Sequence, residues 1–389
     1  QIKGGLPTIA IRDLEIQRRE NDLVLASFGR GFYVLDDYSA LRTMNDTTGK
    51  NAHIFPIKDA YAFIESNPLG TSGKASQGEA FFTTPNPAIG ATFTYYLASK
   101  PQTIAEQRIA AEKKIRKDGG DVAYPDLEAL RKEDLEQKPF LIFEIKDAKG
   151  NVVSRYKETK VSKGINQSVW DFRLETTTPV KLKEPEVGRY SSPDWGALAL
   201  PGDYTVSIYQ FENGALTELV TPTAFKVKML HENQIAKADA AELTAFINEV
   251  SEGRRDMRTV LEKVKEMDKA LDYMQNAVLQ APQSDPKWLE EMDSMKKQLA
   301  ALNTALNGDR TRGSRDVEAY PGISDRIEIV ADNIFSHTEA PTAAEKQSFE
   351  AAMAELSDAK KTYQTIKGLM DNMANRLKIA KSPYFPTVD

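Results

Sequence analysis

The sequence predicts an α+β chain in three consecutive parts: a short β meander, an Ig-like antiparallel β-sandwich with a helical insertion, and an antiparallel four-helix bundle. Three observations lead there. Strand-type runs separated by Gly-containing turns dominate the text up to Leu230. A charged, strand-poor stretch interrupts them at 103–136. Beyond Leu230 the text turns rich in Glu, Lys, Ala, Met and Leu, with apolar residues recurring at three and four. At 389 residues the chain exceeds what one ordinary core holds, so several parts are expected.

The first part, 1–45, carries β-type runs at Thr8 to Ile11, Asp22 to Phe28 and Gly31 to Leu35, with Gly29-Arg30-Gly31 as the turn between the last two. So few strands cannot bury both faces of a sheet, and the meander is expected to lean on other strands. Leu23, Leu25 and Phe32, together with Val34 and Leu35, are the predicted partner contacts.

Residues 46–230 carry runs at Ala91 to Leu97, Pro139 to Lys146, Val152 to Lys157, Gln167 to Phe172, Gly202 to Gln210 and Thr223 to Met229. Tyr204, Val206 and Ile208 alternate with Thr205, Ser207 and Tyr209, the half-buried pattern of an antiparallel sheet. About 7 such strands suit an Ig-like sandwich. The insertion reads as two helices, Ile104 to Lys117 and Pro125 to Glu136, around Gly119-Gly120.

The last part, 231–389, shows apolar stripes at Met257, Val260, Leu261 and Val264, at Leu289, Met292, Met295 and Leu299, at Ile323, Ile327, Val330 and Ile334, and at Phe349, Met353, Leu356 and Tyr363. Four one-sided helices predict a bundle. Asp239 with Glu242 and Thr342 with Glu345 have capping-box spacing, and Pro286 suits a first helical turn.

Composition narrows the function. Lys and Arg total 51 against 57 Asp and Glu, a formal net charge of −6, which favours neither nucleic acid nor an anionic bilayer as partner. Zero cysteines exclude disulfides and thiolate chemistry. With no run of about 18 apolar residues, no membrane insertion is expected. The start, QIKGGLPTIA, opens into strand-type text without a leader pattern, and the reading expects the natural protein to continue upstream.

Motifs that carry chemistry are sparse. The three histidines, His53, His231 and His337, fall in separate segments without ligand spacing. No nucleophile elbow, Walker loop or dinucleotide fingerprint occurs. Asp36-Asp37 offers two carboxylates, but neighbours in a strand point to opposite faces, so turn initiation and capping is the expectation. Trp170-Asp171-Phe172-Arg173 reads as core packing, with Trp170 and Phe172 buried together. The Met-rich stripes read as bundle core, and Arg254-Arg255, Lys296-Lys297 and Lys360-Lys361 as solvated faces. No catalytic, cofactor or metal residue is assigned. Trp195 and Tyr190 are the aromatic candidates for a glycan-stacking platform.

Asn21-Asp22-Leu23-Val24, Phe28-Gly29-Arg30-Gly31 and Val34-Leu35-Asp36-Asp37 resemble the last propeller strands of the bacterial sortilin-like, BNR-repeat proteins often labelled glycosyl hydrolases. Asn86-Pro87 through Gly90 to Tyr95-Tyr96-Leu97, Gly164-Ile165-Asn166 to Trp170-Asp171-Phe172-Arg173, Pro201-Gly202-Asp203-Tyr204, Gly322-Ile323-Ser324-Asp325-Arg326, Pro341-Thr342 and Pro383 to Pro386 follow in the family's order. The resemblance implies a large exported protein with an upstream Asp-box β-propeller. This chain would be its non-catalytic C-terminal accessory region, contacting the propeller or another envelope protein. The hydrolase label transfers to no residue here, and the alternative is an accessory glycan-binding part of such a hydrolase. Asp46-Thr47-Thr48 resembles an O-glycosylation signal of exported Bacteroidota proteins, so periplasm, cell surface or secretion is the expected location.

Overall fold

The structure, a computed structural model, describes residues 6, 8–29, 31–44, 52–63, 84, 86–182, 195–230 and 237–388, with side chains of the last stretch from 240. Among the described residues the fold is α+β, with eight helices and three sheets. The chain forms two compact units, residues 1–173 with 201–231 and residues 174–200 with 232–389.

In the first unit, β1 (Ile11–Gln17), β2 (Asp22–Ser27) and β3 (Phe32–Leu35) form a sheet of their own in the order β1-β2-β3, followed by the short helix α1 (Ser39–Thr43). The first strand lies later than the expected Thr8 to Ile11. Leu14 and Ile16 alternate with Asp13 and Glu15 and pair with β2, from Ile11 opposite Ser27 to Gln17 opposite Asp22. The turn between them closes at Asn21, whose φ of 58° is in the left-handed region that a short amide side chain tolerates.

The remaining strands form two sheets. One, in the order β4-β6-β9, consists of β4 (His53–Ile54), β6 (Ala91–Leu97) and β9 (Gly164–Trp170). The other, in the order β5-β11-β10-β7-β8, consists of β5 (Ala60–Ala62), β7 (Phe140–Asp147), β8 (Val152–Glu158), β10 (Gly202–Glu212) and β11 (Ala215–Met229). All neighbours are antiparallel except β5 and β11, whose two short runs are parallel. Asn213 and Gly214, both at positive φ, make the tight β10–β11 turn.

Alternation buries Phe93 and Tyr95 of the smaller sheet and Leu141, Phe143, Ile145, Val206 and Ile208 of the larger. Their rings meet. Phe93 stacks on Phe143 at 6.1 Å between centroids, and Trp170 lies edge-on to Tyr204 at 5.4 Å. Gly90 is required where the chain enters β6: at φ 149° a Cβ would lie 2.2 Å from the Trp170 carbonyl oxygen.

The strand expected to reach Phe172 ends at Trp170. Phe172 turns into the left-handed region at φ 63°, a costly conformation for a bulky side chain, and its ring is buried edge-on to Trp170. The indole Nε1–H donates to the Arg173 carbonyl at 2.9 Å. Burial of both aromatics is thus achieved across a turn, whereas the alternation predicted it within a strand.

The insertion forms α2 (Ile104–Lys117) and α3 (Leu127–Leu135). A capping box of Thr103 and Glu106 starts α2. Arg108 joins the pair, donating to both Glu133 oxygens at 2.6 and 2.8 Å. Neither helix contains a buried residue.

The second unit contains α4 (Lys237–Gln280), α5 (Trp288–Asn307), the one-turn α6 (Arg310–Gly313), α7 (Ile323–Ile334) and α8 (Ala343–Ile379). The apolar stripes of the four long helices join in one core cluster, including Met257, Met292, Ile327 and Tyr363. Thr342 and Glu345 form the predicted capping box. Asp239 lies inside α4, which is already helical at Lys237, so it is no cap. Pro286 precedes α5 within a turn capped by Asp285, whose carboxylate accepts from the Lys287 N–H at 2.9 Å. Residues 174–200, expected within the β part, cluster with the helices: Ala197 is in their core and Leu174 and Leu200 pack against it.

Candidate functional site

The predicted contacts on the β1–β3 sheet divide between two faces. Register places Leu14, Ile16, Leu23, Leu25, Tyr33 and Leu35 on one side, and Val24, Ala26, Phe32 and Val34 on the other. Leu23, Leu25 and Phe32 therefore form no single patch. Leu25 is buried, Leu23 half-buried and Phe32 77% exposed. The faces are also unequal at β1, which supplies Asp13 and Glu15 to the Phe32 side. Both faces expose apolar side chains, Leu14 and Ile16 on one and Phe32 and Val34 on the other.

Asp36 and Asp37 follow β3 and act locally. The Asp37 N–H donates to the Asp22 carboxylate at 3.0 Å, and the Asp37 carboxylate accepts from the Ser39 N–H at 3.2 Å. Partial burial, then the nearby Asp22 charge, raise the Asp36 carboxyl above its ordinary value, opposed by Lys58. Lys58 itself donates to the Glu20 carbonyl at 2.5 Å and to its carboxylate at 3.2 Å, and it holds the Glu20 carboxyl below the usual range. Among the described residues no group of three His, Cys, Asp or Glu side chains could hold a metal ion.

Of the proposed aromatic platform, Trp195 is half-exposed in the second unit. Tyr190 lies outside the described residues, as do His231 and Asp46-Thr47-Thr48.

Two charged clusters escaped the sequence reading. Glu144, in the middle of β7, is buried yet ionised: burial pushes its carboxyl up, but Lys146 at 2.8 Å and Arg155 at 2.6 Å outweigh this and hold it below the ordinary value. Arg155 faces Glu144 directly across the β7–β8 pairing, so strand register alone could have found that pair.

The second cluster corrects the assignment of Arg254 to a solvated face, since it is 4% exposed. Arg254 and Arg258, one turn apart on α4, donate through Nε to the two Glu328 oxygens of α7, each at 2.8 Å. Arg254 Nη1 donates to Thr177 Oγ1 at 3.2 Å, and Arg258 Nη1 donates to Thr178 Oγ1. The signal was present in the spacing. Val250, Arg254, Met257 and Leu261 fall at four, three and four, which places Arg254 in the apolar stripe. A guanidinium there needs a carboxylate from a facing helix.

No family model matches this chain, and no curated protein or solved structure matches it. Among the described residues no helix is long and apolar enough to cross a membrane.

Proposed function

We propose that this chain is the non-catalytic C-terminal accessory region of a large exported, sortilin-like β-propeller protein, serving protein–protein contact in the cell envelope. The observation that carries the reading is the β1–β3 sheet. Its second and third strands are unbroken apolar runs, Leu23-Val24-Leu25-Ala26 and Phe32-Tyr33-Val34-Leu35, where a strand with one solvated face would alternate. Such runs suit a sheet stacked between two others, as a propeller blade is between its neighbours. A blade normally has four strands and this sheet has three among the described residues, so the reading takes the fourth strand and both covering layers from polypeptide outside this chain.

In this reading the two apposed sheets are an Ig-like sandwich and the four long helices an antiparallel bundle, accessory modules behind the propeller. Periplasm, cell surface or secretion is the matching location.

Deletion of residues 1–45 tests the proposal. The truncated chain should keep its cooperative unfolding and gain solubility, because the two apposed sheets already bury their own core. Loss of folding on truncation would make the meander an integral layer of this chain and overturn the propeller reading.

A further inference from the structure

Residues 174–182 and 195–200 are laced onto the helices of the second unit without forming helix or strand. The two legs touch through backbone: the Leu174 N–H donates to the Ala197 carbonyl at 2.9 Å, and a Cβ on Gly196 would lie 2.2 Å from the Leu174 carbonyl oxygen. One leg presents Ala197, Leu198 and Ala199, all buried. The other presents Thr177 and Thr178 side by side to Arg254 and Arg258. The chain then runs outward, and Val180 and Leu182 are fully exposed.

On the receiving side, the two guanidinium groups stand on α4 and the carboxylate on α7. Glu328 accepts from both guanidinium groups, and each Nη1 donates to one hydroxyl of a consecutive pair. The Phe335 ring lies 5.7 Å from the Arg254 guanidinium carbon. Charge-assisted bonds to two adjacent side chains, with an aromatic behind them, are features of a peptide-recognition surface. Buried loops are uncommon because their polar groups need partners; here the Thr177 and Thr178 hydroxyls find theirs on the two guanidinium groups, and the Leu174 amide finds its own on the other leg.

We propose that Arg254, Arg258, Glu328 and Phe335 form a peptide-docking site, occupied in cis by the Thr177-Thr178 segment, and that the site takes a partner peptide with two consecutive hydroxyl side chains when this strap is released. The inference is independent of the propeller reading, since it concerns the second unit only.

The test uses the full chain and, as probe, a synthetic peptide with the sequence of residues 173–182. Thr177→Val with Thr178→Val weakens the cis contact while leaving the site whole. Hydrogen exchange at the Leu174 amide should accelerate in this variant, and the peptide should bind it at least about tenfold more tightly than the unmodified chain, because the competing strap no longer fills the site. The Thr177→Ser, Thr178→Ser control keeps both hydroxyls and should behave like the unmodified chain. Adding Arg254→Ala to the valine variant should abolish binding. Equal strap protection in the valine variant and the unmodified chain overturns the proposal. So does peptide binding that ignores either the valines or Arg254. Collapse of the helical melting transition in the valine variant also overturns it, because the strap is then a fixed part of the core.

Discussion

The β1–β3 sheet and the two apposed sheets after it are both made of apolar strands, yet they dispose of their side chains in opposite ways. In the apposed pair, alternation sends one row per strand inward, and Phe93, Phe143 and Trp170 become fully buried. In β2 and β3 the apolar residues run on without alternation, both faces of the sheet carry apolar side chains, and Phe32 and Leu14 stay exposed. The difference teaches that the number of layers a sheet needs is written in its periodicity. Period two asks for one covering layer, and an unbroken apolar run asks for two.

The sharpest way to break this comparison is to remove one ring from each region. Phe143→Ala should cost about 3–5 kcal/mol, since the ring is fully buried against Phe93, Tyr95 and Tyr156. Phe32→Ala should stay within about 0.5 kcal/mol in this chain. Denaturant titration of both variants measures the pair, and similar losses would show that β1–β3 is covered after all.

Gly90→Ala probes how closely the apposed sheets are built. The added methyl meets the Trp170 carbonyl and the Val169 side chain, with a loss of roughly 1–3 kcal/mol read as a lower melting temperature. A neutral result would mean that the β6 entry readily shifts.

Acidification separates the regions by charge. The Glu144 carboxyl is depressed in the folded state, so its stabilising contribution is complete above the ordinary glutamate value of 4.5 and is lost as pH falls through the lower folded value. Unfolding midpoints of the unmodified chain should therefore drop below about pH 4.5, and Glu144→Gln should flatten that part of the profile. An unchanged slope in the variant would assign the acid sensitivity to other carboxylates.

The smallest effect belongs to the exposed sheet. Phe32→Lys with Leu14→Lys should leave stability within about 0.5 kcal/mol and reduce self-association at high concentration, measured by sedimentation. Unchanged association would mean that these faces are not the adhesive ones.

Much of the architecture was legible because it depends on local chemistry. Thr342 and Glu345 specify a helix start wherever that helix packs, and Asn213-Gly214 specifies a tight hairpin. The misplaced first strand shows the limit: Ile11 to Gln17 carries four charged or amide residues, Arg12, Asp13, Glu15 and Gln17, among its apolar ones and becomes a strand through pairing with β2. Of the predicted contact residues, Leu23, Leu25 and Phe32 are legible as apolar strand residues, but their division between two faces required the register.

By itself the sequence determined the class of most segments, the start of α8 at Thr342 and the apolar stripes, because these follow from side-chain period and from hydrogen bonds within a few residues. Only the tertiary structure decided that Phe172 turns out of its strand, that 174–200 joins the helices, and that Arg254 lies inside the core on Glu328. Each of these depends on a partner about 70 or more residues away or on a backbone conformation that packing imposes. No local pattern encodes such a partner, since burying an arginine is tolerable only once the fold has brought the opposing carboxylate to it.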